Sequence, residues 1–350
     1  MATIPAPIAN KAAPHANTVP APEGLLVAAE GGLGLRALAR SAMRLVAPTA
    51  SLRLVAVTGD PRTLFPLVAL HPDEWLDAHK AIVASSRAAL DSASRQLVDP
   101  TRTLETSVLD LSTQTESAPH AVGALAAEMD ASLIAVTAFG RGERGRGVWR
   151  VDPEELAATG ACPVLYVPYV CLEEGRTRMA RILVAVDGSV NACDALAYII
   201  DHAPQSATIR VVYVVDHVLG LRNTPRITGL MKEGMRVLTS ANTQLKEHGR
   251  TGETTLVGTS MSARSVADVI GLEAQRWHAD LVVLGSRGRS PLTRWLLGSV
   301  AEHALRGAKQ PVLIVPAFEQ RAALREVNAE LSAEKEAALQ NVVDLPPIFL

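Results

Sequence analysis

The chain has 350 residues, of which 48% are hydrophobic and 3% aromatic, and 34 Lys and Arg against 36 Asp and Glu leave a formal net charge of −2. This length predicts about two domains, and the balanced charge argues against a general nucleic-acid binder, which needs an excess of basic side chains. The sequence has three cysteines without a C-x-x-C pair, which suits a reducing compartment. It has no apolar stretch near the ~20 residues of a membrane span and no secretory signal. We therefore expect a soluble cytoplasmic protein.

Residues 1–23 hold seven Ala and five Pro, so we expect a disordered leader that cannot bury enough apolar surface to fold. From residue 24 onward, short apolar runs alternate with longer helical patterns, which is typical of βαβ units. The first half predicts, in chain order, strands at 25–29, 52–57, 104–111, 133–138 and 163–167, with helices at 71–98 and 121–129.

The second half repeats this order. It predicts strands at 182–186, 209–215, 254–258, 281–284 and 312–315, with a helix at 265–277. Residues 133–168 align without a gap on 281–316, and LLVAAEGG (25–32) matches ILVAVDGS (182–189). Two copies of one domain are therefore predicted, at 24–170 and 179–317, joined by a polar linker at 171–178.

Residues 318–350 form a separate C-terminal element. Leu324, Val327 and Leu331 mark one helical face, Leu339 and Val342 continue the apolar stripe, and Pro346 and Pro347 end it. We expect an amphipathic helix and tail that pack on the chain's own domains, with a helix that binds a partner protein as the alternative.

A glycine motif follows the fourth strand of the second half. Gly285-Ser286-Arg287-Gly288 is separated by nine residues from Gly298-Ser299, which opens the next predicted helix. Glycines let backbone amides approach a ligand closely, and unpaired amides at a helix N-terminus favour an anion. Residues 299–302 also spell a capping box, S-x-x-E, which predicts that the helix starts at Ser299.

Asp187 ends the first strand of the same half. If strands 1 and 4 are neighbours, Asp187 and Gly285 face each other across one crevice at the carboxyl ends of the strands. The glycine motif therefore predicts a phosphate cradle, although turn chemistry alone for the glycines, and turn capping alone for Asp187, are the plainer alternatives.

Asp187-Gly-Ser together with G-x2-G-x9-G-S at 285–299 resembles the nucleotide-binding kind of universal stress protein, over about residues 179–317. The resemblance implies an α/β fold with two tandem doubly wound domains, each a five-stranded parallel sheet of order 3-2-1-4-5 flanked by helices. It implies ATP, or AMP or ADP, as the ligand, with Mg²⁺ as an accompanying ion. It also implies that the two halves pair within one chain through their last strands, or that the chain forms a homodimer.

Carried over by position, the resemblance assigns nine residues to the nucleotide. Adenine and ribose are expected near Ala185, Asp187 and Val214, with Gly285 beside the ribose. Phosphates are expected at Gly288, Gly298, Ser299 and Val300, and Arg287 is expected to add positive charge.

The first half departs from this pattern. Thr137, Arg150 and Val151 stand where the second half has Gly285, Gly298 and Ser299. Asp152-Pro153 predicts an N-cap followed by proline at the first helical position, and this carboxylate would repel a phosphate. We therefore expect one nucleotide per chain. The Gly32-x-Gly34-x-x-Ala37 string and the arginine cluster at 141–150 are interpreted as loops rather than dinucleotide or polyanion sites.

No Walker-type G-x-x-x-x-G-K-[ST] motif, metal-binding histidine spacing or Ser-His-Asp arrangement is present in the sequence. His303 is interpreted as a helix-face histidine. The leading hypothesis is a stress-response regulator or sensor that binds an adenine nucleotide and signals to a protein partner. A slow ATPase using the same crevice and a structural adaptor without nucleotide are the alternatives.

Overall fold

The computed structural model describes residues 24–64, 72–113, 116–137, 151–175, 178–216, 224–259, 265–289 and 297–319. The expected leader at 1–23, most of the glycine- and arginine-rich loop before Val151, and the expected helix beyond residue 319 lie outside these ranges. Within them, no helix has the length and apolar character needed to cross a membrane.

The first half begins with a strand, and helices of different lengths flank its parallel sheet. Its elements are β1 (Gly24–Glu30), α1 (Leu35–Ala42), a 3-10 turn (Met43–Leu45), β2 (Ser51–Thr58), α2 (Pro61–Leu64), α3 (Pro72–Leu97), β3 (Leu104–Asp110), α4 (Ala118–Glu128), β4 (Ala131–Thr137), α5 (Pro153–Thr159), β5 (Val164–Tyr166) and α6 (Tyr169–Glu173). Helix α5 begins as expected, because the Asp152 carboxylate accepts a hydrogen bond from the Glu154 amide at 2.9 Å and proline follows it.

The second half repeats the alternation. Its elements are β6 (Arg181–Ala185), α7 (Val190–His202), β7 (Thr208–Val215), α8 (Thr224–Glu247), β8 (Gly252–Gly258), α9 (Val266–Arg276), β9 (Leu281–Gly285), α10 (Ser299–Arg306) and β10 (Val312–Val315). All ten strands expected from the sequence are present, with ends within two residues of the expected positions. The central strands of both halves are buried on both faces of the sheet. This burial explains why the sequence has continuous apolar runs at these strands.

One ten-stranded sheet runs through both halves, in the order β3-β2-β1-β4-β5-β10-β9-β6-β7-β8. Each half therefore has the expected order 3-2-1-4-5, and its internal strand pairs are parallel. The halves meet where β5 pairs antiparallel with β10, with Leu165 opposite Leu313. Because this pair is antiparallel, the carboxyl ends of the strands point to opposite edges of the sheet in the two halves.

Helices cover the sheet on both sides. The front face packs against α1, α3, α7 and α8 through Leu38, Leu90, Leu196 and Leu238. The back face packs against α4, α5, α9 and α10 through Val122, Leu156, Ile270 and Ala301. Both apolar clusters include residues of both halves, so the halves share one core on each face.

Element bounds show how the two copies differ in length. β1 and β2 begin 157 residues before β6 and β7 (24 to 181, 51 to 208), whereas β3 and α4 begin 148 residues before β8 and α9 (104 to 252, 118 to 266). Nine extra residues of the first half therefore lie between β2 and β3. From β3 onward, residues 148 apart are equivalent.

Candidate functional site

The candidate nucleotide residues gather at the carboxyl ends of β6, β7 and β9. β6 and β9 are neighbours, with Val184 paired with Val283, which meets the condition set for a crevice between Asp187 and Gly285. Ala185 pairs with Val212 in β7, and the Val186 amide donates to the Val212 carbonyl at 2.9 Å. Since strand side chains alternate, Val214 points to the same side of the sheet as Val212 and its partner Ala185, and Asp187 follows the end of β6 by two residues.

That side is the back face, where helix α10 begins. Ala185 is buried, and Val214 and Val300 are partly buried against the same apolar cluster. The structure therefore brings together the two apolar residues expected near adenine and the helix end expected near the phosphates. An apolar floor next to a helix N-terminus suits a ligand with an aromatic base and an anionic tail.

Asp187 and Gly288 lie in contact across the crevice. A Cβ on Gly288 would meet Oδ2 of Asp187 at 2.7 Å, so a side chain at this position would require the Asp187 carboxylate to move. The other carboxylate oxygen, Oδ1, accepts a hydrogen bond from the Ser189 amide at 2.9 Å and closes the turn into α7. One carboxylate oxygen of Asp187 thus stabilises the turn before α7, and the other is directed at the glycine loop.

Gly298 joins the glycine loop to the start of α10. Its amide donates to the Ser286 carbonyl at 2.8 Å, and a Cβ on it would meet the Arg287 Cα at 3.2 Å and the Ser286 oxygen at 3.3 Å. Ser286 is buried, and its hydroxyl accepts a hydrogen bond from the Asn191 side chain at 3.0 Å. Helix α7, the glycine loop and helix α10 are held together through this serine.

The capping box expected over residues 299–302 is wrong. Gly298 is the N-cap, and Ser299 is already the first helical residue, because the bond to Ser286 fixes Gly298 in an extended conformation (φ −67°, ψ 144°). No side chain of the described residues caps α10, and Glu302 bonds to Arg306 instead. Within the described ranges, no carboxylate or hydroxyl accepts from the first amides of α10, and such a helix start favours an anion. A true capping box does occur, between Ser265 and Asp268 at the start of α9.

Gly285 has a packing role in this structure. A Cβ at this position would lie 2.7 Å from the Asn191 carbonyl carbon and 2.9 Å from the Ala192 amide nitrogen. Glycine therefore allows the first turn of α7 to pack directly on the end of β9. Its expected contact with a ribose stays a prediction.

Arg287, half-buried in the loop between Gly285 and Gly288, stays a candidate for phosphate charge. Arg289 was not predicted, yet it makes more of the loop's described contacts. Its Nε donates to the Asp187 carbonyl, its guanidinium pairs with Glu233 of α8 at 2.9 Å, and it lies 5.8 Å from the ring centre of Tyr213. Burial raises the pKa of the Tyr213 phenol, which keeps it neutral beneath this cation. Arg289 thus ties the glycine loop to Asp187 and to the front-face helix α8.

The equivalent crevice of the first half is built differently. Asp152 places its carboxylate on the first amides of α5, and Val151 before it is fully buried. The expected replacement of Gly298 by Arg150 lies outside the described residues, as does Gly140. Gly32 packs against Ala89 and Gly34 against Leu172, so these glycines serve turn and helix packing rather than a dinucleotide site.

His303 lies one turn below the start of α10 and faces α9, with its Nε2 3.2 Å from Oδ1 of Asp268. This agrees with its interpretation as a helix-face histidine. Among the described residues, no group of three or more His, Cys, Asp or Glu is placed to hold a metal ion.

Comparison with known proteins places this geometry in a family. Residues 179–316 match the model of the Universal stress protein family. The chain is 31% identical over 157 residues to Universal stress protein MJ0531 of Methanocaldococcus jannaschii, covering 43% of this chain and 89% of that one. It is 30% identical over 154 residues to Universal stress protein YxiE of Bacillus subtilis, covering 39% of this chain and 97% of that one.

Solved structures extend the likeness to both halves. The chain matches a functionally unknown protein, PA1789 of Pseudomonas aeruginosa, with a TM-score of 0.55 and 20% identity over 89% of this chain and 98% of that one. It matches a universal stress protein of Archaeoglobus fulgidus with a TM-score of 0.56 and 14% identity over 84% and 96%. At these sequence identities the likeness establishes only the fold. Because it covers both halves, the fold that it establishes includes the tandem arrangement of two domains.

Proposed function

Because the chain belongs to the universal stress protein family, we propose that its second half binds ATP or a related adenine nucleotide in the crevice between β6 and β9. The observation that carries this proposal is the uncapped start of α10, held against a glycine loop whose Gly288 touches Asp187. Amides of Ser299 and Val300 would hold the phosphates. Ala185 and Val214 would contact the base, and Asp187 Oδ2 would accept from a hydroxyl of the sugar.

The residues present fit such a ligand. A side chain at Gly288 or Gly298 would fill the space next to the crevice. In the first half, the equivalent helix start is already occupied, because the Asp152 carboxylate accepts from the first amides of α5. Arg287 adds a positive charge to the glycine loop, which suits an anionic ligand, whereas the charge of Arg289 is paired with Glu233.

We assign the protein the role of a stress-response regulator or sensor in the cytoplasm, which signals nucleotide occupancy to a protein partner. Amides bind the ground state of a phosphate about as well as the transition state, so they increase affinity without lowering the barrier to hydrolysis. Phosphoryl transfer also needs positioned charge on the γ-phosphate, and the sequence holds no Walker-type lysine motif. Turnover far below the ~1–10³ s⁻¹ of typical enzymes is expected.

Calorimetric titration of the full chain with ATP, ADP, AMP and GTP tests the proposal. Saturable binding of the adenine nucleotides, with weaker binding of GTP, is expected. Absence of binding by every nucleotide would favour the structural adaptor. Phosphate release measured on the same sample separates the alternatives further, because several turnovers per second would make the protein an ATPase.

A further inference from the structure

Arg289 lies one residue after Gly288 and connects the glycine loop to the turn that follows β6. Its Nε donates to the main-chain carbonyl of Asp187. Its Nη2 lies 3.2 Å from where a Cβ of Gly188 would be, in a turn whose positive φ of +83° at that residue favours glycine. The arginine side chain therefore spans the two loops that carry the residues expected at the sugar and at the phosphates.

The guanidinium of Arg289 is itself held from the front face of the sheet. Glu233 of α8 pairs with its Nη2 at 2.9 Å, and the ring centre of Tyr213 lies 5.8 Å from its central carbon. A Cβ on Gly234 would meet Cδ1 of Tyr213 at 2.7 Å, so α8 lies directly on this ring beside Glu233. Because the helix is fixed on the sheet at this point, Glu233 offers the arginine a carboxylate at a set position.

The first half has different residues at the two positions that hold the guanidinium. Helices α3 and α8 share one pattern of buried side chains 148 residues apart, at Leu90, Ala93 and Leu97 and at Leu238, Ala241 and Leu245. By this spacing Ser85 is equivalent to Glu233, and the strand spacing of 157 residues makes Ala56 equivalent to Tyr213. The carboxylate and the ring thus belong to the half with the uncapped helix start, whereas the half in which Asp152 caps the helix has serine and alanine.

We propose that Arg289 is a positioning residue for the nucleotide, with Glu233 as its anchor on the opposite face of the sheet. This role rests on the proposed function, in which Asp187 binds the sugar and Gly288 faces the phosphates. One nucleotide must contact both loops, so it needs them at one fixed distance. A link that sets this distance before binding removes the cost of ordering the loops when the ligand arrives.

Calorimetric titration of the full chain with ATP measures the contribution of the link. Glu233→Gln removes the charge of the anchor and keeps its length, and breaking a half-exposed ion pair should lower affinity about threefold. Arg289→Ala also loses the bond to the Asp187 carbonyl, so a loss of about tenfold or more is expected. Glu253→Gln is the matched control and should keep the natural affinity, because Glu253 pairs with Arg210 at 2.8 Å near the beginning of β7, away from the crevice.

A conservative variant and a shorter ligand separate positioning from charge and from general stability. Arg289→Lys keeps the positive charge, but one amine cannot copy a fork that bonds a carbonyl and a carboxylate at once, so ATP affinity should fall nearly as far as in Arg289→Ala. Adenosine lacks phosphates and needs only the loop of Asp187. Glu233→Gln should therefore weaken ATP binding and leave adenosine binding unchanged.

The double variant shows whether the glutamate acts through the arginine. Adding Glu233→Gln to Arg289→Ala should lower ATP affinity no further, because the side chain that Glu233 anchors is already gone. Natural ATP affinity in Glu233→Gln or in Arg289→Lys, an equal loss for adenosine and ATP, or additive effects in the double variant would overturn this positioning role while the proposed function stood. Absence of adenine-nucleotide binding by the natural chain would instead overturn the proposed function and, with it, the role of Arg289.

Discussion

His303 Nε2 lies 3.2 Å from Asp268 Oδ1, so the helix that begins at the candidate phosphate site is tied to α9 one turn below its first residue. The positions 148 residues earlier are Glu155 and His120, whose side chains lie 3.1 Å apart. The imidazole and the carboxylate have exchanged helices while the contact has stayed. Both pairs are exposed and add little stability, but they show that the two halves are copies of one architecture.

Replacing Gly298 by valine should abolish most nucleotide binding. The new side chain would press on the Arg287 Cα and the Ser286 oxygen and would push the glycine loop away from the first amides of α10. A loss of affinity of at least about tenfold is expected from overpacking of this size, with an unchanged circular dichroism spectrum. Gly229→Val is the matched control, because Gly229 lies in α8 on the other face and a Cβ there meets nothing within 4 Å. A folded Gly298→Val protein with natural affinity would refute the site.

Removing the Asp187 carboxylate should weaken binding by about 1.5–3 kcal/mol, the usual contribution of a hydrogen bond to a charged group. Asp187→Ala loses both the oxygen that faces Gly288 and the oxygen that closes the turn at Ser189. Asp187→Asn can keep the second bond, so comparing the two variants by calorimetry separates ligand recognition from turn formation. Equal affinity in all three proteins would assign Asp187 to the turn alone.

Calorimetry should return one nucleotide per chain. In the first half, the Asp152 carboxylate already bonds the amide of Glu154, so a phosphate there would meet a negative charge instead of free donors. Titration of Gly298→Val provides the check, because loss of the second-half site should remove all binding rather than half. Two equivalent sites in the natural protein would contradict this prediction.

Asp60 should make stability sensitive to acid. Its carboxylate bonds to Arg62 at 2.6 Å and accepts from the Trp75 indole at 2.9 Å, and chiefly the bond to Arg62 lowers its pKa from 3.8 to about 2. A depressed folded-state pKa adds stability above the unfolded pKa, and this contribution is lost as the pH falls through about 2. Because Arg62 is half exposed, we expect only about 1 kcal/mol.

Urea unfolding of Asp60→Asn and of the natural protein between pH 5 and pH 2 measures this contribution. The variant should be less stable than the natural protein at pH 5, and the difference should shrink toward pH 2. A constant difference over that range would show that the carboxylate does not titrate with the expected linkage.

The sequence predicts the strands well, because each buried strand is a short apolar run between turn residues, and duplication repeats the signal. The order of the strands is implied by the family resemblance and not by these runs. The sequence predicts that α10 starts at Ser299, but it does not predict how that start is capped. Residues 299–302 and 265–268 both spell a capping box, but only Ser265 caps its helix, because a long-range bond from Gly298 to Ser286 fixes the other helix one residue earlier. Such a bond leaves no local pattern.

Arg289 shows a second limit. The arginine acts through contacts with residues that precede it by 102 and 56 positions, and sequence spacing does not encode these contacts.

The antiparallel pairing of β5 with β10 makes the association of the two halves an event within one molecule. Its equilibrium does not shift with dilution, unlike that of two separate chains. Identical subunits must change together, because one gene specifies both, whereas fused copies can acquire different residues at equivalent positions. Arg306 uses this freedom: it bonds to both Glu154 and Glu302, which are equivalent in the two copies, whereas its own counterpart is Ala158. The fusion thus permits one copy to hold a ligand and the other to give up its cradle without dissociating the pair.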